Sequence, residues 1–193
     1  MSLALDTPRL TVRDYAPSDL DDVAEILADP AVFWWVKEPY TRERAQRWLA
    51  DEMALAGRDG TGRRAVVLKA TGKVIGGAGL VWRDLDGGRE VELGYHLHHG
   101  YWGQGYATEA GAACLEQARR LGLRRVVSLI YVDNPRSEAV ARRLGMTARG
   151  ELTWAGLPHL MWALELPAPR RRSTLARRAA GVGGGLPRRR DAR

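Results

Sequence analysis

One stretch of the chain, from Glu90 to Gly122, restricts the fold more than any other. It begins with REVELGYHL, whose alternating apolar and polar residues are typical of a β-strand with one buried face. A glycine-rich stretch, HHGYWGQGY, follows, and the residues from Ala107 to Leu121 then have helical spacing. A strand, a glycine-rich loop and a helix in this order predict a crossover to a parallel strand, here Arg125–Val132.

Shorter elements surround this crossover. RLTVRDY predicts a first strand, and two helices follow for which Ser18 and Thr41 are the expected N-caps and Gly57 the expected end of the second. RRAVVLKA and KVIGGAGLVWRD predict a hairpin around Thr71-Gly72, and a short helix and a terminal hairpin close the chain. We therefore predict an α/β (α+β) domain with a mixed, mostly antiparallel twisted sheet of about seven strands, flanked by about four helices.

The positive charge of the chain is concentrated at its C-terminal end. Residues 170–193 contain nine Arg and one acidic residue, whereas residues 1–169 contain 21 basic and 22 acidic residues. We predict one domain over residues 1–167 and a basic, disordered tail over residues 168–193.

The sequence shows neither a long apolar run nor a signal peptide, so we expect a cytoplasmic protein without a membrane span. The single cysteine, Cys114, lies in an apolar helical stretch and is interpreted as a core residue rather than a nucleophile.

The loop from Gly103 to Thr108 has the features of an anion site. The first N–H groups of a helix lack internal partners, and together with the helix dipole they attract negative charge. Gly103 and Gly105 allow the backbone to approach a bulky ligand, and Ala107 is small. A pyrophosphate fits such a loop, although an ordinary glycine-rich turn has the same local sequence. The absence of GK[ST] and GxGxxG excludes a Walker loop and a Rossmann fingerprint.

The string LGYHLHHGYWGQGYATEA resembles the acetyl-CoA signature of the GNAT superfamily, in the branch similar to the RimJ/RimL-type ribosomal-protein N-terminal acetyltransferases. Trp102 stands where most of the superfamily has Arg or Gln, and Gly105 and Ala107 match the signature. TPRLTVRDYAPSDLDDV, LADPAV and VDNPRSEAVARRLGM resemble further segments of that branch, with Met146 in place of Phe. The resemblance covers about residues 7–166. It implies a GNAT-like fold and transfer of an acetyl group from acetyl-CoA to a primary amine, by direct attack and without an acyl-enzyme.

The resemblance also implies a set of cofactor contacts. The backbone amides from Gly103 to Thr108 would hold the CoA pyrophosphate, and the backbone of Leu97 would pair with the pantetheine arm. Asn134 would bind pantetheine, although a helix N-cap is an equally sound role for it. The cofactor-binding residues are thus Leu97, Gly103, Gln104, Gly105, Tyr106, Ala107, Thr108 and Asn134. No metal is expected.

Two catalytic residues are proposed at this stage. Glu92 lies in the middle of its strand and could deprotonate the amine or attract its charge; the alternative is an ion pair with an Arg on a neighbouring strand. His96 and His98 share its strand face and, because histidine titrates near neutrality, either could serve instead. Many GNAT enzymes carry a Tyr acid where this chain has Ala141, so Ser137 is the substitute candidate, with an ordinary first-turn helix residue as its alternative.

An aromatic connection between the first two helices is the candidate acceptor site. Trp34, Trp35 and Tyr40, together with His96, would wall the pocket, although such aromatic residues are more often part of a core. Four other tryptophans have the spacing of core residues: Trp48, Trp82, Trp154 and Trp162.

The expected partners are acetyl-CoA and an amine acceptor, either a protein N-terminal α-amino group or a small-molecule amine. A homodimer is common in the family that the chain resembles. Two alternatives remain open: a non-catalytic acyl-CoA sensor, favoured by the missing Tyr, and a ribosome- or nucleic-acid-associated protein. The latter would act through the tail at 168–193, which lacks aromatic residues for base stacking, so its binding would be non-specific and steeply salt-dependent.

Overall fold

The structure, a computed structural model, describes residues 4–34, 36, 38–55 and 59–167. Within these residues the chain forms eight strands, four α-helices and two 3-10 turns. The strands are β1 Leu5–Asp6, β2 Leu10–Arg13, β3 Gly62–Leu68, β4 Val74–Leu85, β5 Gly88–Leu97, β6 Arg125–Tyr131, β7 Thr147–Trp154 and β8 Leu157–Glu165. The helices are α1 Leu20–Ala28, α2 Arg42–Leu55, α3 Tyr106–Arg120 and α4 Pro135–Arg143, and the 3-10 turns are Pro17–Asp19 and His99–Tyr101.

All eight strands belong to one sheet, in the order β1-β2-β3-β4-β5-β6-β8-β7. β5 and β6 run parallel, and every other neighbouring pair runs antiparallel. The predicted crossover and the mixed, mostly antiparallel sheet are therefore confirmed. The eighth strand is β1, which has two residues and pairs with β2, Leu5 facing Val12. A strand this short has no alternation that a sequence pattern could detect.

Helices cover both faces of the sheet. Neighbouring residues of β3 show the division: Ala65 and Val67 pack with α1 and α2, whereas Val66 packs with α3 on the opposite face. The α3 side contains Leu93 and Cys114. A smaller apolar cluster lies beneath α4. The central strands are thus buried on both sides, which holds β5 and β6 firmly in place.

The parallel pair β5–β6 is joined over a short length. Its register contact is Glu92 with Val127, and the Ser128 hydroxyl donates a hydrogen bond to the Leu93 carbonyl at 2.8 Å. Beyond this point towards the carboxyl ends of both strands, residues from each line a common cavity. The sheet therefore opens into a cleft where the chain crosses over, the position at which open α/β sheets commonly bind ligands.

The start of α1 differs from the prediction. Ser18 does not cap the helix; instead, Pro17–Asp19 forms a 3-10 turn, and the Asp19 carboxylate accepts the Ala16 N–H at 2.9 Å. Arg13 holds the same carboxylate through two hydrogen bonds of 2.7 and 2.8 Å, so a contact from β2 decides where the helix begins. The Thr41 cap of α2 is confirmed, because its hydroxyl accepts the Arg44 N–H at 3.3 Å. Gly57 lies outside the described residues.

Candidate active site

The cleft between β5 and β6 contains a cavity of about 290 Å³. It brings together five of the residues singled out from the sequence: Trp34, Glu92, His96, Asn134 and Ser137. Trp35 lies outside the described residues. Tyr40 does not line the cavity; its ring packs against Phe33, and the Arg44 guanidinium lies 3.9 Å from its centroid. The predicted cofactor loop follows β5 after one 3-10 turn.

The loop has the backbone geometry that an anion site needs. Gly103 and Gly105 have positive φ angles of 75° and 82°, a region that favours glycine, and Gly105 is the N-cap of α3. The hydrogen-bond ladder of α3 begins with the Glu109 N–H on the Gly105 carbonyl, at 3.0 Å. The N–H groups of Tyr106, Ala107 and Thr108 precede this bond and are directed out of the helix end.

A buried hydroxyl adds to the fit. Within the described part of the chain, the Thr108 Oγ1 atom has no hydrogen-bond partner although it is buried. A buried hydroxyl without a partner is costly, and a ligand oxygen would satisfy it. The residues of this loop therefore suit a phosphate-bearing group.

The connection between β1 and β2 braces this loop. The Arg9 guanidinium donates to the Gln104 carbonyl at 2.9 Å and forms an ion pair with Glu109 at 2.7 Å. Glu109 also accepts hydrogen bonds from the Arg9 N–H at 2.9 Å and the Thr7 hydroxyl at 2.6 Å. Sequence reasoning missed Arg9, because its partners lie about a hundred residues away and no local pattern connects them. A second brace comes from Asp29, which accepts a hydrogen bond from the His99 ring at 2.6 Å.

The edge of β5 that faces the cleft can be identified from its carbonyl partners. The Leu97 carbonyl accepts a hydrogen bond from the Trp102 indole N–H at 2.8 Å, and the Leu93 carbonyl accepts one from Ser128 on β6. Carbonyl groups of alternate residues in a strand point to the same edge. The Tyr95 carbonyl, which lies between them, therefore points into the open cleft.

Glu92 forms an ion pair with an Arg on the neighbouring strand, which was one of its two interpretations, and its role as a base stays a prediction. Its side chain lines the cavity, and its Oε2 atom accepts a hydrogen bond of 2.6 Å from the Arg83 Nε atom on β4. The residue is 8% exposed. A carboxylate placed in this way can attract an ammonium group that enters the cavity.

The two histidines of this strand face, His96 and His98, lie in different surroundings. His96 lines the cavity, where burial, with the nearby charge of Arg63, lowers its pKa to about 3. The expectation that His96 titrates near neutrality is therefore wrong: at neutral pH it is an uncharged imidazole. His98 instead points to the far side of the loop, with its Nε2 atom 3.7 Å from Glu25.

The helix after β6 presents Asn134 and Ser137 to the cavity. The Asn134 Oδ1 atom accepts the Ser137 N–H at 3.1 Å, so its role as the N-cap of α4 is confirmed. Ala141 belongs to α4 and is fully buried in the small apolar cluster on the inner side of this helix. Tyr95 was missed by sequence reasoning; its hydroxyl donates to the Ser137 carbonyl at 3.0 Å, and burial raises the pKa of Tyr95 above its ordinary value. Strand alternation assigned Tyr95 to the face opposite Glu92, but the opening of the sheet gives both faces access to the cavity.

Aromatic side chains form much of the remaining wall. Trp34 is 47% exposed and stacks on Tyr131 with centroids 4.7 Å apart. Trp48 and Trp154, predicted as core residues, also line the cavity. For Trp48 the core prediction is nevertheless confirmed, because its ring also packs against the core under α1 and α2. For Trp154 the prediction was wrong, because periodic spacing does not distinguish a core from the wall of a cleft. Trp82 packs partly buried against the main core, and Trp162 is buried as predicted.

Cys114 is 3% exposed, and burial raises the pKa of its thiol to about 12. Its prediction as a core residue is confirmed, and a protonated thiol inside the core is no nucleophile. In the described part of the chain, no helix combines the length and the apolar character needed to cross a membrane.

Comparison with known proteins agrees with this geometry. Residues 9–147 match the family described as "Acetyltransferase (GNAT) domain". The uncharacterized N-acetyltransferase p20 of Bacillus licheniformis is 29% identical over 151 residues, covering 76% of this chain and 83% of that protein. The L-methionine sulfoximine/L-methionine sulfone acetyltransferase of Pseudomonas aeruginosa is 28% identical over 157 residues, covering 79% and 88%.

Solved structures share the fold. An acetyltransferase from Agrobacterium tumefaciens superposes with a TM-score of 0.70 at 28% identity, covering 85% of this chain and 95% of that one. RimL, the ribosomal L7/L12 α-N-protein acetyltransferase solved in complex with coenzyme A, has a TM-score of 0.71 at 20% identity and covers 85% and 98%. The chain therefore belongs to the GNAT family of acetyltransferases and is an acetyl-CoA-dependent acyltransferase.

Proposed function

We propose that this protein acetylates the primary amine of a small molecule that has an apolar body, by direct attack of the amine on acetyl-CoA. The observation that carries the proposal is the arrangement of the cleft: a glycine-rich loop leads into the N-terminus of α3 where the cleft opens, and a carboxylate, Glu92, lies in a cavity with aromatic walls. An acetyl-CoA that spans this cleft would bring its thioester beside the cavity.

The binding of CoA follows from the chain's own groups. The N–H groups of residues 103–108 would hold the pyrophosphate, and the cleft-facing backbone of Tyr95 would pair with an amide of the pantetheine arm. Leu97, whose carbonyl already binds Trp102, would position the loop rather than contact the arm through that carbonyl. The amide of Asn134 still offers its N–H₂ group to the arm while Oδ1 caps α4.

Glu92 would receive the acceptor. Its carboxylate attracts an ammonium group, and it can take the proton that the amine must lose before it attacks, directly or through a water molecule. A donor is needed near the carbonyl oxygen and the departing sulfur, and Ser137, which lines the same cavity, could supply its hydroxyl. Tyr95 donates its own hydroxyl proton to the Ser137 carbonyl and would hold the first turn of α4 beside the cavity.

Two observations favour a small acceptor. The cavity of about 290 Å³ must hold the end of the pantetheine arm as well as the acceptor. A relative that is 28% identical over most of both chains is named for acetylation of L-methionine sulfoximine and L-methionine sulfone, which are small molecules. Trp34, Trp48 and Trp154 would then pack against the apolar part of the acceptor.

The test combines binding and turnover. Thermal unfolding is followed with acetyl-CoA, free CoA, ATP and NAD; acetyl-CoA at 100 times its dissociation constant is expected to stabilise the fold by about 2.7 kcal/mol, with no shift from ATP or NAD. CoA release is then measured with apolar amino acids, simple alkyl and aryl amines, a polyamine, an aminoglycoside and a peptide with a free N-terminus. Release with the small amines supports the proposal. Release with the peptide alone would identify a protein N-terminal acetyltransferase, and stabilisation without any turnover would favour an acyl-CoA sensor.

A further inference from the structure

One basic side chain in the wall of the cavity is not used by the mechanism above. Arg63 belongs to β3, two strands away from β5, yet its side chain lines the cavity together with Glu92 and His96. It is 23% exposed, and its Nη1 atom pairs with Glu52 of α2 at 2.6 Å. Two questions follow: how a side chain of β3 reaches the cavity across β4, and what its positive charge could bind there.

Two glycines leave the sheet surface between Arg63 and the cavity without side chains. In the sheet register Arg63 faces Gly79 on β4, and Gly79 faces Gly94 on β5. Neighbouring strands are about 4.8 Å apart, so β3 and β5 are about 10 Å apart, and any side chain on Gly79 or Gly94 would occupy the surface between them. A Cβ on Gly79 would also come within 2.1 Å of the Gly62 carbonyl oxygen. No side chain at these two register positions therefore separates Arg63 from the cavity that it lines.

The charges along this face alternate. Glu52 pairs with Arg63, and Arg83 pairs with Glu92. Two guanidinium and two carboxylate groups sum to zero, and His96 adds no charge at neutral pH. A monoamine that enters as an ammonium ion leaves this group with one excess positive charge, whereas a zwitterion leaves it neutral.

We infer that the acceptor is an α-amino acid with an apolar side chain, whose carboxylate binds Arg63 while its amine faces Glu92. This inference rests on the proposed function and specifies its substrate class. Arg63 and Glu92 line one cavity of about 290 Å³, so an amine at Glu92 and a carboxylate at Arg63 can belong to one small molecule. Arginine suits the task, because its planar guanidinium holds a carboxylate through two hydrogen bonds.

The experiment uses acceptors in matched pairs, each an L-amino acid and the amine that lacks its carboxylate. The pairs are L-leucine with 3-methylbutylamine, L-methionine with 3-(methylthio)propylamine, and L-phenylalanine with 2-phenylethylamine. In the full-length wild-type enzyme we expect at least one amino acid to be acetylated with a kcat/KM at least tenfold above that of its amine. In Arg63→Gln we expect the KM for that amino acid to rise roughly 10- to 100-fold, the loss of one charged hydrogen-bond pair, with kcat within about threefold.

The controls separate recognition from folding. Arg63→Gln leaves Glu52 without its partner, so the double variant Arg63→Gln/Glu52→Gln is measured beside it, and both must retain the thermal shift with acetyl-CoA. Arg63→Lys is expected to restore part of the preference. The inference is overturned if the amines are acetylated as well as the amino acids, or if Arg63→Gln lowers kcat/KM equally for both members of a pair. Acetylation of neither set would overturn the proposed function, and this inference with it.

Discussion

Glu92 forms an ion pair and borders the cavity at the same time. A buried carboxylate that loses its partner is costly, so the pair with Arg83 explains how the sheet tolerates Glu92 at 8% exposure. The same pair keeps the carboxylate at a defined position beside the site where an amine would enter. The ion pair that its sequence position suggested is therefore present, and the role of Glu92 towards an amine stays a prediction.

Replacement of this carboxylate tests the functional role. We expect Glu92→Gln to lower kcat/KM about 10²-fold, because it removes the proton acceptor and the attraction for an ammonium group. The acetyl-CoA thermal shift should remain. Glu90→Gln is the matched control: Glu90 lies on the same strand face but pairs with Arg125 at 3.5 Å, away from the cavity, and its activity should stay within about threefold. Equal losses in the two variants would contradict a role for Glu92.

His96 makes a prediction about stability and pH. Its folded pKa of about 3 lies below the ordinary value of 6.5, so between these two pH values the unfolded chain binds a proton that the folded chain does not. The free energy of unfolding must therefore fall as the pH drops from about 6.5 towards 3, and it is unaffected by His96 above that window. Denaturant titrations of wild type and His96→Gln across this range should differ in slope by about one proton. Parallel curves would show that His96 is accessible to protons in the folded chain.

At the scale of elements, the start of α3 depends on contacts from two segments that are distant in sequence. Arg9, which immediately precedes β2, ties Gln104 and Glu109 together. The Arg136 guanidinium of α4 stacks over the Trp102 ring, 4.8 Å from its centroid. The loop is therefore held from two sides before any ligand binds, and such preorganisation lowers the entropy cost of binding.

Substitutions at the two glycines that flank α3 distinguish the effect of backbone strain from an effect on CoA binding. Gly105 begins the helix with φ 82°, and Gly122 follows its other end with φ 74°. Alanine at either position should lower the free energy of unfolding by about 1 kcal/mol, the cost of a left-handed conformation for a residue with a Cβ. Only Gly105→Ala should also weaken CoA binding, measured by calorimetry, because it reorients the N–H groups of the loop. Equal CoA affinity in both variants would mean that this helix end does not hold the ligand.

At the scale of the whole molecule, the segment just after β8 completes the core. Leu166 is 3% exposed, and its N–H donates to the Arg124 carbonyl at 2.8 Å. The predicted basic tail, 168–193, follows one residue later and carries the excess positive charge. We propose that residues 1–167 fold and bind CoA without it.

Two truncations test this boundary. A chain that ends at Pro167 should keep the unfolding midpoint and the acetyl-CoA shift of the full chain. A chain that ends at Leu164 loses the burial of Leu166, about 2 kcal/mol, and its midpoint should fall by roughly 4–8 °C. Retention on RNA at two salt concentrations, measured with the full chain and the Pro167 truncation, shows whether the tail binds phosphates. A lower midpoint for the Pro167 truncation would place part of the tail in the fold.

The sequence alone determined the elements of this protein and the position of the loop after β5. Alternation in Glu90–Leu97, helical spacing after Tyr106 and the glycines between them are local properties, and local backbone preferences and hydrophobic periodicity report them directly. The same locality explains why Thr41 was recognised as a cap and Glu92 as a buried carboxylate.

Tertiary structure decided everything that depends on contacts between distant segments. The start of α1 depends on Arg13, and the bracing of the loop from Gly103 to Thr108 depends on Arg9. The pKa of His96 depends on its burial in the cleft wall. Tyr95, Trp48 and Trp154 became cavity residues because β5 and β6 separate beyond their short paired stretch, which no periodicity in either strand reveals. A pattern along the chain indicates which side of an element is apolar. Only the packed fold determines whether that side contacts a core or lines a cavity.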